Sequence, residues 1–255
     1  MGRNMSLDIQ IDNLNLVLTR MCNQTCKHCL RGERQNAYMN KEVVDKFFNN
    51  LYYNIVKINT LAFTGGEPFL NRETLIYIID TLIKKNLIPR KTICVTNGLI
   101  FDTTLMDKFA DLKQTGSLVI LETTIDQFHK TMNQEKLEKF LKYDFYYYFE
   151  EHLDESEILR LGRASENNFG NPFLGLPLMR YYYNNLQNGL VGQKMQDLVY
   201  INDLTLLDNG KVAPYAADAT WEMLDNMAMI DIEEDIFNQM RLENNDNDFE
   251  KVLRR

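Results

Sequence analysis

Hydrophobic and polar positions alternate along this chain in two rhythms. Short β-branched and leucine-rich runs, which read as buried strands, fall at residues 13–18, 60–64, 91–96, 118–125 and 145–149. Between them apolar residues recur at helical spacing. Val43, Val44, Phe47, Phe48 and Leu51 follow a capping Asn40, and Leu75, Ile78, Ile79, Leu82 and Ile83 follow Asn71. Further helices are expected over 103–112 and 133–141. Lys84 and Lys85 suit the carboxyl end of the second helix, where cations meet the helix dipole. The run FYYYF at 145–149 is aromatic throughout and is expected to be well buried.

Regular strand and helix alternation with short connections implies parallel strands joined by right-handed crossovers. The expected fold class is therefore α/β, a partial (β/α)6 TIM-like barrel with a small C-terminal α+β cap. Functional groups should then lie on the loops that leave the carboxyl ends of the strands. From about Gly170 the alternation breaks into a stretch rich in Gly, Pro, Asn and Tyr, which puts the boundary near Asn167: a barrel core over 1–166 and a cap over 167–255. Inside the cap, apolar runs at 204–207 and 212–215 flank DNGK, and Asn209 with Gly210 is a strong hairpin turn. The end, from residue 243, reads as a polar linker and short helix, and no internal repeat is evident.

Composition narrows the function classes. With 28 basic and 36 acidic residues the chain carries a net charge of −8 and no long basic run, so a non-specific grip on nucleic acid would have to overcome repulsion. The N-terminal stretch lacks the apolar run of a signal peptide, and no segment stays apolar for the roughly 18 residues of a membrane span. The expectation is a soluble cytoplasmic protein with neither nucleic acid nor membrane as partner. Four cysteines among 255 residues are too few for a disulfide scaffold.

Three of those cysteines stand within eight residues, in TRMCNQTCKHCLRG at 19–32, on the loop after the first strand. Cys22, Cys26 and Cys29 form a C-x3-C-x2-C array, which points to metal or redox chemistry. A structural zinc site normally takes four protein ligands, and no fourth Cys or spaced His pair lies nearby. His28, between Cys26 and Cys29, is poorly placed to join them on one ion, so zinc is the second choice. Three thiolates on a 4Fe-4S cluster leave one iron open for a substrate or cofactor.

Other polar motifs close later strands. FTGGEP at 63–68 ends the second strand: Gly65 and Gly66 let the backbone approach a ligand, and Glu67 offers a carboxylate to an amino group. A tight turn with a solvated Glu is the plain alternative. VTNG at 95–98 ends the third strand, where Asn97 can donate and accept, or merely cap a turn. ETTIDQFH at 122–129 ends the fourth, and LGRA at 161–164 contains an Arg163 that either closes a pocket or pairs with a surface acid. His129 alone reads more readily as a structural histidine, and Cys94, flanked by Ile93 and Val95, as an inert buried thiol.

Together these motifs resemble the radical S-adenosylmethionine enzymes. The likeness is specific over residues 13–164 and loose over 204–232. It implies that Cys22, Cys26 and Cys29 hold one 4Fe-4S cluster whose open iron is chelated by S-adenosylmethionine. It further implies that Gly65, Gly66, Glu67, Asn97, Thr124, Asp126 and Arg163 contact that cofactor, with His28 packing on its adenine. Reductive cleavage would give a 5'-deoxyadenosyl radical that takes hydrogen from substrate, the electron coming from an external donor such as flavodoxin or ferredoxin. The LGRA segment and the hairpin resemble those of relatives with a SPASM or twitch extension, which favours a peptide substrate; a small metabolite or nucleotide is the alternative. No cysteine follows Cys94, so the auxiliary clusters of such extensions have no thiolates here. Tyr181, Tyr182, Tyr183, Tyr215 and Trp221 can wall a substrate pocket or simply pack a core. A non-catalytic zinc or iron-sulfur redox sensor is the reading from a different class, and it needs neither Glu67, Asn97 nor Asp126.

Overall fold

The computed structural model describes residues 7–51, 53–130, 132–174, 191–195, 198–214, 219–228, 230–232 and 241–244. In chain order these form β1 (Leu7–Thr19), α1 (Lys41–Phe48), β2 (Tyr53–Gly65), α2 (Arg72–Lys84), β3 (Lys91–Val95), α3 (Thr103–Gln114), β4 (Leu118–Ile125), α4 (Gln134–Phe140), β5 (Tyr146–Glu150) and α5 (Gly162–Glu166). There follow β6 (Val191–Met195), β7 (Leu198–Leu206), β8 (Lys211–Ala213), α6 (Trp221–Met227), β9 (Ile230–Asp231) and β10 (Arg241–Asn244).

All ten strands join one sheet in the order β10-β6-β7-β1-β2-β3-β4-β5, with β8 on β7 and β9 on β8. The run β7-β1-β2-β3-β4-β5 is parallel throughout. Its ends do not pair with each other, so the sheet is an open, partial barrel, as expected. The sixth parallel strand, however, is not laid down after β5. It is β7, which comes from the segment after residue 166 and lies beside β1, so the C-terminal part of the chain shares the sheet of the first part. The expected hairpin is present: β7 turns at Asn209 and Gly210 into the antiparallel β8. Tyr181, Tyr182, Tyr183 and Tyr215 lie outside the described residues.

The helices begin where side chains can satisfy their first free N–H groups. Asn40 accepts from the N–H of Val43, Asp102 from that of Leu105, and Asn133 from that of Lys136. Asn71 precedes α2 but does not cap it. Its amide donates instead to the carbonyls of Leu18 and Met39, each at 2.8 Å, tying the end of β1 to the approach to α1. The main core packs Leu14, Leu16 and Leu18 of β1 and Leu61 and Phe63 of β2 with the apolar stripes of α1, α2 and α3. Val17 points the other way and joins Leu207, Ala213, Trp221, Leu224 and Met227 in a second cluster, so β1 is covered on both faces.

One expectation fails. The aromatic run at 145–149 buries only its start, while Tyr147, Tyr148 and Phe149 are 45%, 38% and 48% exposed. The cause is position: among the described residues β5 pairs with β4 alone and forms an edge of the sheet. No helix among the described residues is long and apolar enough to cross a membrane.

Candidate active site

The cysteine loop leaves β1 at Thr19 and is built largely by contacts with distant chain. Cys22, Cys26 and Cys29 are half-buried free thiols, whereas Cys94 is wholly buried in β3. Arg163, buried at the start of α5, grips the loop. It donates through Nη1 to the Cys26 carbonyl at 3.1 Å, through Nη2 to the Gly32 carbonyl at 3.1 Å and through Nε to Glu33 at 3.2 Å. Its own N–H donates to the Cys29 carbonyl at 2.9 Å. Gly162 makes this approach feasible, because a Cβ there would stand 2.1 Å from the Leu30 carbonyl oxygen. Arg163 is thus a clamp on the cysteine loop, which the sequence left undecided between pocket closure and a surface pair.

The turn after β2 also meets this loop, in a manner that differs from the expectation. Gly65 and Gly66 approach the chain's own backbone: a Cβ on them would lie 2.3 Å from the Thr19 and Met21 carbonyl oxygens respectively. Gly66 N–H donates to Thr19 and Glu67 N–H to Met21, at 2.7 and 2.9 Å. Glu67 is neither solvated nor presented outward. Only 1% exposed, its carboxylate accepts from Phe69 N–H at 3.0 Å, Thr96 Oγ1 at 2.7 Å and Asn97 N–H at 2.8 Å. Burial pushes its pKa up, and these three bonds pull the other way.

Asn97, held by Glu67, turns its side chain to the cysteines. Nδ2 donates to Asn23 Oδ1 at 2.6 Å and stands 3.7 Å from Cys22 Sγ. The N–H of Gln24 also reaches Cys22 Sγ, at 3.4 Å. Gln24 and Asn23, which sequence reasoning passed over, are the site's unforeseen members; the one signal was two amides inside CNQTC. Gln24 Oε1 accepts from the Cys26 thiol at 3.3 Å and from Lys130 N–H at 3.1 Å, so it joins the cysteine loop to the loop after β4.

That second loop carries Asp126 and His129, with Thr124 just before it in β4. Thr124 is half-buried at the end of β4. Asp126, 7% exposed, accepts through Oδ1 from the N–H groups of Phe128 and His129 at 2.7 and 3.0 Å. His28 reaches across from the cysteine loop, its Nε2 3.9 Å from Asp126 Oδ2 and its ring 5.0 Å from those of Phe128 and His129. Burial, and then His129, lower the His28 pKa against the pull of Asp126, which favours a neutral imidazole. His28, Asp126 and His129 therefore come together.

The donor set suits an iron-sulfur cluster. Burial, then the neighbouring Cys22 and Cys29, push Cys26 up to about 11, and burial also raises Cys22. Crowded thiols that resist ionisation on their own are ones that a cationic metal centre would ionise. Amide N–H groups aimed at Cys22 Sγ are the contacts that tune such ligands.

An open parallel α/β sheet presents three thiols on the loop after its first strand, a donor set that an iron-sulfur cluster would fit. The chain belongs to the 4Fe-4S single cluster domain family, whose model matches residues 14–142, just over half of it. No curated protein matches. Among solved structures, a histidine-tagged form of anSMEcpe with bound AdoMet is similar at 16% identity and a TM-score of 0.50, over 88% of this chain and 78% of that one. Native anSMEcpe with bound AdoMet and Cp18Cys peptide matches with the same values. The family carries the 4Fe-4S cluster expected from the motifs, and the fold is shared with anSMEcpe.

Proposed function

We propose that this protein is a radical S-adenosylmethionine enzyme that modifies a residue within a peptide, with Cys22, Cys26 and Cys29 as its cluster ligands. The observation that carries the reading is the loop: three free thiols lie together after β1, while the fourth cysteine is sealed in the core. Three protein ligands leave one iron of a 4Fe-4S cluster open. When bound, the cluster and S-adenosylmethionine supply a reducing electron, cleavage of the sulfonium and abstraction of a substrate hydrogen atom.

The chain's residues hold and shape that chemistry. Gln24 N–H and Asn97 Nδ2 direct hydrogen toward Cys22 Sγ, which stabilises the thiolate form and moderates its donation to a metal. Arg163 fixes the loop carbonyls and brings positive charge near Cys26, opposing the rise in that thiol's pKa. Glu67 acts from behind by fixing Asn97, and Gly65 and Gly66 let its turn lie against the base of the loop. Asn97 and Thr124 are the side chains we assign to the polar groups of S-adenosylmethionine.

Two observations support a peptide. anSMEcpe binds the Cp18Cys peptide in its structure. Here β5 ends the sheet among the described residues, and its exposed Tyr147, Tyr148 and Phe149 offer main-chain groups and ring surface to an extended segment.

Anaerobic reconstitution to about four irons per chain, followed by dithionite and S-adenosylmethionine, tests the assignment. Wild type should form 5'-deoxyadenosine and Cys26→Ala should not. A protein that takes up zinc in place of iron, or an iron-loaded one that forms no nucleoside, overturns it. Deuterium passed from a labelled peptide into 5'-deoxyadenosine supports the peptide; transfer only from small metabolites refutes it.

A further inference from the structure

We infer that His28, Asp126 and His129 form a second metal site, distinct from the cysteine ligands, that takes one divalent borderline transition cation such as Zn2+ through two imidazole nitrogens and a carboxylate oxygen. Nothing in this assignment depends on the iron-sulfur cluster.

One potential ligand atom from each of the three residues lies within 4.8 Å of the others. Metal to ligand distances of about 2.0–2.2 Å place such atoms about 3–3.5 Å apart, so modest rotations of two imidazoles would close the set. The carboxylate is already stripped of water. The Asp126 side chain is 1% exposed, and its Oδ2 is buried without a hydrogen-bond partner, as is His28 Nδ1. A desolvated carboxylate oxygen is costly unless something positive meets it.

An ordinary His–Asp ion pair does not account for the arrangement. His129 Nδ1 stands 2.9 Å from Asp126 Oδ1 but without the alignment of a hydrogen bond. That oxygen is taken by two backbone N–H groups, and the other is left facing His28 at 3.9 Å. Fixing of one carboxylate oxygen by the turn is what orients a metal-binding carboxylate through its outer contacts. Phe128, packed on both His28 and Phe169, walls the cluster with apolar surface. Two imidazoles and one carboxylate leave coordination positions open for water or an oxygen ligand. Gln24, bridged to Lys130 beside the same turn, carries a buried Nε2 without a partner that can donate to such a ligand.

The test uses the full chain with Cys22→Ser, Cys26→Ser and Cys29→Ser, titrated with Co2+ under argon. The expected result is one equivalent bound, with visible d–d bands and no sulfur-to-cobalt charge-transfer band. His129→Ala or Asp126→Asn on that background should weaken binding at least about tenfold. Asp126→Asn retains an oxygen for the Phe128 and His129 N–H groups, so the turn survives; far-UV circular dichroism checks this. No Co2+ uptake by the folded triple-serine chain, or uptake that both substitutions leave unchanged, overturns the assignment. If the triple-serine chain does not fold, the reconstituted wild type supplies the measurement. One zinc per chain beyond its iron, lost in Asp126→Asn, supports the site; no zinc, or zinc indifferent to Asp126→Asn, refutes it.

Discussion

Glu67 combines deep burial with three hydrogen bonds, and both can be probed by one amide. In Glu67→Gln, one of the two side-chain positions becomes a donor and confronts another donor, either Asn97 N–H or the pair formed by Phe69 N–H and Thr96 Oγ1. Leaving such a group unpaired costs about 1–3 kcal/mol, to be read by urea denaturation. The pH dependence has a definite sign. A carboxyl whose folded pKa lies above its usual 4.5 holds its proton more tightly in the folded state. Its contribution to stability is complete below pH 4.5 and is lost as pH climbs through the raised value, so the difference between wild type and Glu67→Gln should shrink along that climb. Gly66 gives a steric prediction: Gly66→Ala sets a methyl 2.3 Å from the Met21 carbonyl oxygen. Overpacking of this kind costs about 1–3 kcal/mol, and because Met21 adjoins Cys22 the variant should also take up less iron on reconstitution, measured per chain. FTGGEP was legible as a special turn; that its glycines face backbone, and that its Glu points inward, was not, because both depend on β1 lying alongside.

Among the elements, β4 and the cap at Asn40 could be read from the sequence, since periodicity and capping are local properties. β1 could be read only in part. Its buried set runs Ile9, Ile11, then changes phase across Asp12 and Asn13 to Leu14, Leu16 and Leu18, which hides the first half of the strand from a search for strict alternation. The two polar residues at the break are satisfied by neighbouring strands: Asn59 donates to Asp12 at 2.6 Å and Asn13 to Asp203 at 3.0 Å. β5 was misjudged because aromatic content speaks for a strand but not for its place in a sheet. A further link joins elements remote in sequence. Arg20, at the end of β1, donates to Asp208 at 2.7 Å and to both oxygens of Asp225 on α6 at 2.6 and 2.7 Å. The guanidinium groups of Arg20 and Arg31 each lie over the Trp221 ring. Arg20→Ala strands the buried Asp208, a loss of about 3–5 kcal/mol. Asp225 is nearly half exposed, and Asp225→Ala should cost only about 1 kcal/mol. Unfolding curves showing equal losses would contradict this ranking.

At the scale of the whole molecule, the sheet is assembled around β1, which pairs along its length with β2 on one side and β7 on the other. Local patterns announced alternating strands and helices, but the partner that completes β1 lies some 190 residues away in contacts such as Asn13 with Asp203, beyond any window of periodicity. Removing residues 191–255 would uncover one edge of β1 and leave Val17 without its cluster. Such a chain should lose cooperative thermal unfolding and accumulate in aggregates, as an unpaired, apolar edge predicts; a soluble truncated protein with a sharp transition would contradict it.

The clamp by Arg163 bears on how the protein matures. During translation the cysteines emerge first, and the guanidinium that pins Cys26 arrives 137 positions later. A nascent chain halted before that point exposes its sulfurs on a slack loop, open to oxidation or stray metal. Productive iron loading therefore belongs after synthesis has passed α5, when the loop that receives the iron is already pinned.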